Sequence, residues 1–335
     1  MSTGRLRDFR RSDLITKLAP VRFDPHAKGR TWDRFLYTVF AGQVDLIRYV
    51  QRLVGYSLTG NTSEHVLPFL LGGGANGKST FVELILSLLG PDYAMKAGPD
   101  LLMARRGEAH PTERADLHGK RFVACVETEA GRRLNESLVK ELTGGDRVRA
   151  RRMREDFWEF VPMHHVWLAG NHKPVVHGRD HGIWRRLKLI PFLVTIPPGG
   201  QDKRLGEKLK AELPGILNWV VAGCLDWRKN GLNEPDVVRA HTDRYAEEMD
   251  EVGRFVTECC EAGPAFIEEG GKLYRKFQEV CPDGDMSNHA FAARLKEKGF
   301  VNRDPDSGKE VKTKAGVKAW RGLRLRPVVR SETVG

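Results

Sequence analysis

One stretch constrains this chain more than any other: Leu67-Pro68-Phe69-Leu70-Leu71-Gly72-Gly73-Gly74-Ala75-Asn76-Gly77-Lys78-Ser79-Thr80. An apolar run with strand character breaks into glycines, and residues 81–89 then read as an amphipathic helix. Gly72 and Gly77-Lys78-Ser79 satisfy the spacing G-x-x-x-x-G-K-[ST], in the strand–loop–helix context that gives the spacing its meaning. Glycines let successive N–H groups turn inward around a phosphate without Cβ clashes. The following helix N-terminus adds partial positive charge. The pattern predicts a nucleoside triphosphate, ATP, held by Gly72, Gly73, Gly74, Ala75, Asn76, Gly77, Lys78, Ser79 and Thr80. Lys78 is expected to reach the β- and γ-phosphates, and the Ser79 hydroxyl to ligate Mg²⁺.

At 335 residues there is room for one such core and one or two small modules. No apolar run approaches a membrane span, and no signal-type segment follows the basic N-terminus. Five cysteines without a C-x-x-C pair read as inert thiols in a reducing cytoplasm. The formal net charge of +11 favours a polyanionic partner, nucleic acid before membrane.

Taken in order, residues 1–20 are polar, basic and expected to be poorly ordered. Two apolar faces at helical spacing follow, Trp32, Phe35, Leu36, Val39 and Phe40, then Leu46, Ile47, Val50, Leu53 and Val54. By pattern alone they could be a helical lid on the nucleotide-binding core. Residues 122–126 read as a short buried strand ending in Glu127-Thr128-Glu129. Carboxylates at the end of such a strand are placed to hold Mg²⁺ and polarise the attacking water, although a Glu pair is also an ordinary surface feature. Residues 147–160, carrying Arg147, Arg149, Arg151, Arg152 and Arg154, read as a β-hairpin with a charged tip; a solvated basic hairpin is the ordinary case, but so many arginines favour a phosphate contact. A further strand, 165–169, runs into Asn171, which could hydrogen-bond the γ-phosphate or the attacking water. Arg185 and Arg186 precede another apolar strand, and His172 and His177 are too scattered for a metal site. From about residue 251 the pattern changes to three short helices, then two short basic strands around Ala315-Gly316. That order is winged-helix-like, with residues 287–298 as the candidate recognition helix and Ser287 as its N-cap.

With these pieces in place the chain resembles the superfamily 3 helicases, specifically the helicase part of the phage/plasmid primase–helicases, whose relatives include the poxvirus primase–helicase. The words that carry the likeness are GGGANGKST, RFVACVETE, LVKELTGGDRVRARR, WLAGNHKP and IWRRLKLIPF, in the family's order over residues 32–254. The resemblance implies an α/β fold, a P-loop NTPase of AAA+-like type, assembled as a homo-hexamer with ATP at subunit interfaces. It implies an N-terminal tail and helical collar over 1–60, an ATPase core over 61–250 and a winged-helix-like domain over 251–335. Lys78 and Ser79 would be the Walker A residues, Glu127 and Glu129 the Walker B acids with Glu127 and Ser79 on Mg²⁺, and Asn171 sensor 1. Arg185 or Arg186 would be the arginine finger, and Arg147–Arg154 the hairpin that tracks single-stranded DNA. Thr128 separates acids that many members carry side by side, so the choice of base stays open.

The expected function is therefore an ATP-driven, ring-forming DNA helicase for replication of a phage, plasmid or other mobile element, in the cytoplasm of a bacterial host. Its partners would be single-stranded and forked DNA, its own copies and a separate primase, with no membrane. Nothing before Thr31 could be a primase domain, so no primase activity is expected of this chain, either as a stand-alone helicase or as a fragment of a longer primase–helicase. Two other classes compete: an ATP-switched winged-helix origin-binding protein, and a P-loop kinase of a small molecule.

Overall fold

The computed structural model describes residues 6–8, 10–105, 111–126, 130–177, 181–282 and 286–327. The chain divides into two compact units, Met1–Asp243 and Arg244–Gly335.

Runs such as Leu67–Leu71 and Phe122–Val126 are apolar at successive positions, so both faces of each strand need covering, which is the signature of a parallel sheet between helices. The first unit is built on that sheet. Its strands are β1 (Leu67–Leu71), β2 (Ala94–Ala97), β3 (Phe122–Val126), then, after a separate hairpin of β4 (Val148–Ala150) and β5 (Trp158–Phe160), β6 (His165–Gly170) and β7 (Leu187–Pro191). The five-stranded order is β2-β3-β6-β1-β7, with every pair parallel. The strand that feeds the glycine loop is flanked by β6, which leads to Asn171, and by β7, which follows the two arginines. The ends of β1 and β6 that lead to the glycine loop and to Asn171 therefore share one edge of the sheet, and the arginines before β7 stand at the opposite edge.

The helices are α1 (Arg30–Val39), α2 (Val44–Ser57), α3 (Lys78–Tyr93), α4 (Pro111–Ala115), α5 (Glu136–Gly144), α6 (His181–Trp184), α7 (Leu205–Ala211) and α8 (Leu213–Asn230). α9 (Asp236–Glu248) carries the chain into the second unit. α1 and α2 share one core with the sheet: Trp32 stacks on Phe35 and Phe81, with Trp219 edge-on at 5.3 Å. Each such fully buried side chain contributes about 1.5–3 kcal/mol. α2 and α8 touch backbone to backbone, because a Cβ on Gly55 would lie 2.1 Å from the Cys224 nitrogen and one on Gly223 would lie 2.1 Å from the Gln51 carbonyl oxygen.

α3 is kinked at Gly90, which has φ 66° and is followed by Pro91. Residues 17–20 of the N-terminal segment differ from expectation. Lys17 donates to the Gly119 carbonyl at 2.9 Å, the Leu18 N–H to Asp92 at 2.9 Å, and Pro20 covers Gly90. Composition marked this segment as polar but could not register three specific partners far along the chain.

The second unit runs α10 (Glu251–Cys259), β8 (Cys260–Glu269), α11 (Gly270–Val280), α12 (Asn288–Glu297) and β9 (Ala319–Leu325), with β8 and β9 antiparallel. Phe255, Phe277, Phe291, Leu273 and Leu295 form its core. The three helices fall where periodicity predicts, and Ser287 caps α12 by accepting from the Ala290 N–H. β8 was not foreseen: Gly263 and Pro264 interrupt its sequence and its pairing shifts register after Ala262. Instead of two basic strands around Ala315-Gly316, there is one strand, β9, joined by single bridges such as Lys312 with Lys318.

His164 and His165 enter β6 almost fully buried. The Nε2–H of His165 donates to the Asn61 carbonyl at 2.6 Å. Burial, reinforced by the neighbouring His165, holds His164 down at about 3; burial and nearby Arg121 hold His165 down at about 4, the Asn61 contact opposing them. Below the ordinary histidine value of about 6.5 the unfolded chain takes up protons that the folded chain refuses, so this stability is present above that pH and lost as pH falls towards 4 and 3. Each histidine should add about 1.4 kcal/mol per pH unit to the slope of stability near pH 5. Urea unfolding between pH 7 and 5 should show it, and His165→Asn should reduce the slope by about one such increment.

Candidate functional site

The glycine loop leaves β1 under tight packing at both of its ends. A Cβ on Gly72 would lie 2.2 Å from Asn76 Nδ2 and 2.3 Å from the Phe192 carbonyl oxygen, so only glycine fits there. Gly77, with φ +87°, caps the start of α3, and a Cβ on it would meet Val39 at 2.7 Å and Phe35 at 2.9 Å. Gly73 and Gly74 instead face open space. Beside the loop lies a cavity of about 600 Å³, lined by residues 74–80, by Val126 and Ala130 flanking the end of β3, and by Gly170, Asn171 and His172 at the end of β6.

Lys78 is nearly buried at the head of α3, and its ammonium donates to three oxygens: the Gly72 carbonyl at 2.6 Å, Asn76 Oδ1 at 3.0 Å and Asn171 Oδ1 at 3.1 Å. Burial pulls the Lys78 ammonium below the usual lysine range, and the three acceptors are all neutral. An anion in the cavity would relieve that cost, which is what a phosphate supplies. Ser79 is exposed and Thr80 half-buried on the cavity wall. Sequence reasoning placed Asn171 here through its strand end. It counted Asn76 among the phosphate-loop residues but not its tethering role: the amide donates to the Phe192 carbonyl at 3.2 Å while the oxygen takes the lysine. The only signal for Asn76 was a polar residue inside the loop. Glu127 and Glu129, next in sequence after β3, lie outside the described residues.

The paired arginines part company. Arg186 is buried, donating from Nε to Thr143 Oγ1 at 3.0 Å and from a terminal nitrogen to the Gly182 carbonyl at 2.6 Å. Its own carbonyl accepts from the Leu67 N–H at 2.7 Å, so it ties the start of β7 to α5 and to β1. Arg185 is exposed.

The basic segment forms the expected hairpin, with Val148 opposite Phe160, Arg149 opposite Glu159 and Ala150 opposite Trp158. Val148, Ala150 and Phe160 are buried, and Arg147, Arg149, Arg151, Arg152 and Arg154 are all exposed. His118 packs edge-on against Trp158 at 4.9 Å and Phe160 at 5.3 Å, anchoring the root.

Comparison with known proteins bears on these elements directly. A family described as "Family of unknown function (DUF5906)" matches residues 70–186, and one described as "D5 N terminal like" matches residues 1–41. A protein of Acanthamoeba polyphaga mimivirus named a putative helicase is 31% identical over 227 residues, 62% of this chain and 24% of that protein. One of African swine fever virus named a putative primase is 27% identical over 278 residues, 72% of this chain and 27% of that protein. Among solved structures, the apo C-terminal region of NrS-1 superposes with a TM-score of 0.51 at 12% identity, covering 91% of this chain and 79% of that one. The chain is thus similar to proteins named as viral helicases and primases.

The chain spans about a quarter of the length of these two relatives. The likeness to NrS-1 concerns the fold, a mixed α/β architecture with a parallel central sheet. The DUF5906 match begins inside β1 and ends at Arg186, so it encloses the glycine loop, the hairpin, Asn171 and the two arginines. Within that span the two arginines should behave oppositely in unfolding experiments. Arg186→Ala removes charged hydrogen bonds to the Thr143 hydroxyl and the Gly182 carbonyl from a buried site, and should cost about 3 kcal/mol. Arg185→Ala should leave the urea midpoint at the parental value.

Proposed function

We propose that this chain is the ATP-driven motor part of a DNA helicase of superfamily 3, AAA+-like type. The observation that carries the reading is the convergence of Lys78 and Asn171 on one cavity, from the loop after β1 and from the end of the neighbouring strand β6. A P-loop that only binds phosphate has no need of a polar side chain from the adjacent strand at that point. One that hydrolyses ATP needs a group near the γ-phosphate to orient water.

The residues fit the nucleotide and its metal. Backbone N–H groups of residues 74–78 and the start of α3 suit the phosphates, and the Lys78 ammonium is charge-matched to them. Ser79, with Glu127 next after β3, would hold Mg²⁺, which neutralises phosphate charge; Glu127 or Glu129 would polarise the attacking water. On ATP binding Lys78 exchanges its neutral acceptors for phosphate oxygens, freeing the Asn171 oxygen for that water.

Arg185 is the better candidate for a finger acting on a neighbouring subunit, since it is exposed while Arg186 is engaged in its own chain. That role requires a homo-oligomer with ATP between subunits, a hexameric ring in this reading. Arg147, Arg149, Arg151, Arg152 and Arg154 on the hairpin would grip the single strand as the ring moves along a fork. α1 and α2 would correspond to the collar region, and the second unit, with its helix–strand–helix–helix–strand order, to a winged-helix-like module that contacts duplex DNA. A primase would act from elsewhere, on a longer chain or a separate one.

The test is a mixing experiment. Lys78→Ala should abolish ATP hydrolysis, and Arg185→Ala should lower it by roughly 10³–10⁵-fold, since an interface arginine acts only where transition-state charge develops. Mixed under conditions where labelled subunits exchange, the two inactive chains should recover partial ATPase activity, because some interfaces then pair an intact loop with an intact arginine. Confirmed exchange without recovery would overturn the trans-acting finger. Parental hydrolysis by Lys78→Ala would overturn the motor itself.

A further inference from the structure

The hairpin carries an aromatic residue that neither the core nor the nucleotide site employs. Phe157 is 46% exposed, yet the guanidinium carbons of Arg149 and Arg151 lie 4.3 and 4.7 Å from the centre of its ring. The geometry follows from strand alternation. Val148 and Ala150 point into the protein, so Arg149 and Arg151 share the outer face. Phe157 precedes Trp158, the partner of Ala150, which sets it across from Arg151 one step beyond the last paired residues.

Two like charges side by side would ordinarily spread apart into solvent. An aromatic face offsets that tendency, because its quadrupole attracts each cation. Stacking occupies the flat face of a guanidinium and leaves its in-plane N–H donors available. Neither guanidinium is taken by a hydrogen bond or an ion pair among the described residues, whereas Arg105, Arg114 and Arg132 each hold a carboxylate. The outer face of the hairpin thus presents two aligned, unspent cations on an aromatic rest.

We infer that Phe157 is a positioning residue that holds Arg149 and Arg151 together as a clamp for a backbone phosphate of single-stranded DNA. The inference rests on the reading of the hairpin as the DNA-contacting element. It adds a residue absent from the arginine pattern and assigns it a task distinct from stacking on a base. The ring serves the arginines, the arginines serve the phosphate, and sequence preference is not expected from the contact.

The test measures binding of the full chain to a thymidine oligonucleotide and to an abasic strand of the same length, across a salt series. Phe157→Leu should reduce the slope of log affinity against log salt by about 0.7, the value for one phosphate contact on a single strand, equally on both strands. Phe157→Tyr and Phe157→Trp, which keep an aromatic face, should restore the parental slope. A loss confined to the thymidine strand, with the slope unchanged, would mean that Phe157 stacks on a base and would overturn the clamp. A parental slope for Phe157→Leu on both strands would also overturn it. The double variant Arg149→Ala/Arg151→Ala separates the two levels. If it binds like the parent, the hairpin is not the DNA contact and the functional reading falls with the clamp. If it loses affinity while Phe157→Leu does not, only the clamp falls.

Discussion

The glycine loop depends on a lack of space. Gly72 is pressed against the Phe192 carbonyl and Asn76, and Gly77 against Phe35 and Val39, with no room for a side chain at either end. The loop is thereby fixed from two sides, by the segment that follows β7 and by α1. That segment is itself tied down, since the Ile196 N–H donates to the Ala75 carbonyl at 2.8 Å. Between the fixed ends, Gly73 and Gly74 open onto space that no protein atom fills. Close packing transmits any displacement, so α1 and β7 are part of the site although neither touches the cavity.

This gives the first two helices a physical role that oligomerisation alone would not. Trp32 stacks on Phe81, the first apolar residue of α3, and Phe35 and Val39 back the glycine that starts that helix. α2 is locked to α8 at Gly55 and Gly223, where main chains meet. The aromatic stack, the glycine contacts and the sheet therefore stand or fall together, within one hydrophobic core. A collar that moved as a separate body would have to break that core.

Much of this was legible from sequence because the signals were local. Strand, loop and helix around Lys78 follow from run length, glycine spacing and periodicity, and the hairpin from arginines alternating with Val148 and Ala150. The missing parts depend on partners distant in the chain. Asn76 acquires its meaning only when Phe192 arrives beside it, 116 residues later. β2, the four residues Ala94–Ala97 with one lysine, is a strand because β3 offers it an edge. Phe157 fell within the predicted hairpin without a role of its own, and its exposure emerges only from the register of Trp158 with Ala150.

The adjacent arginines carry the argument furthest, because sequence gave them identical chemistry and the fold separates them. Arg186 must satisfy its donors inside the protein, and does so on Thr143 and Gly182, whose positions are set by α5 and α6. Thr143 in turn donates to the Val139 carbonyl, and its own carbonyl accepts from His65 Nδ1, just before β1. The buried guanidinium thus joins the last turn of α5, the start of β7 and the approach to β1, all at the edge of the sheet opposite the cavity. Immobilising one arginine in this way fixes the backbone from which the other projects. Arg185 then projects from a fixed backbone, and in the proposed role towards a neighbouring subunit that fixed origin would matter more than reach.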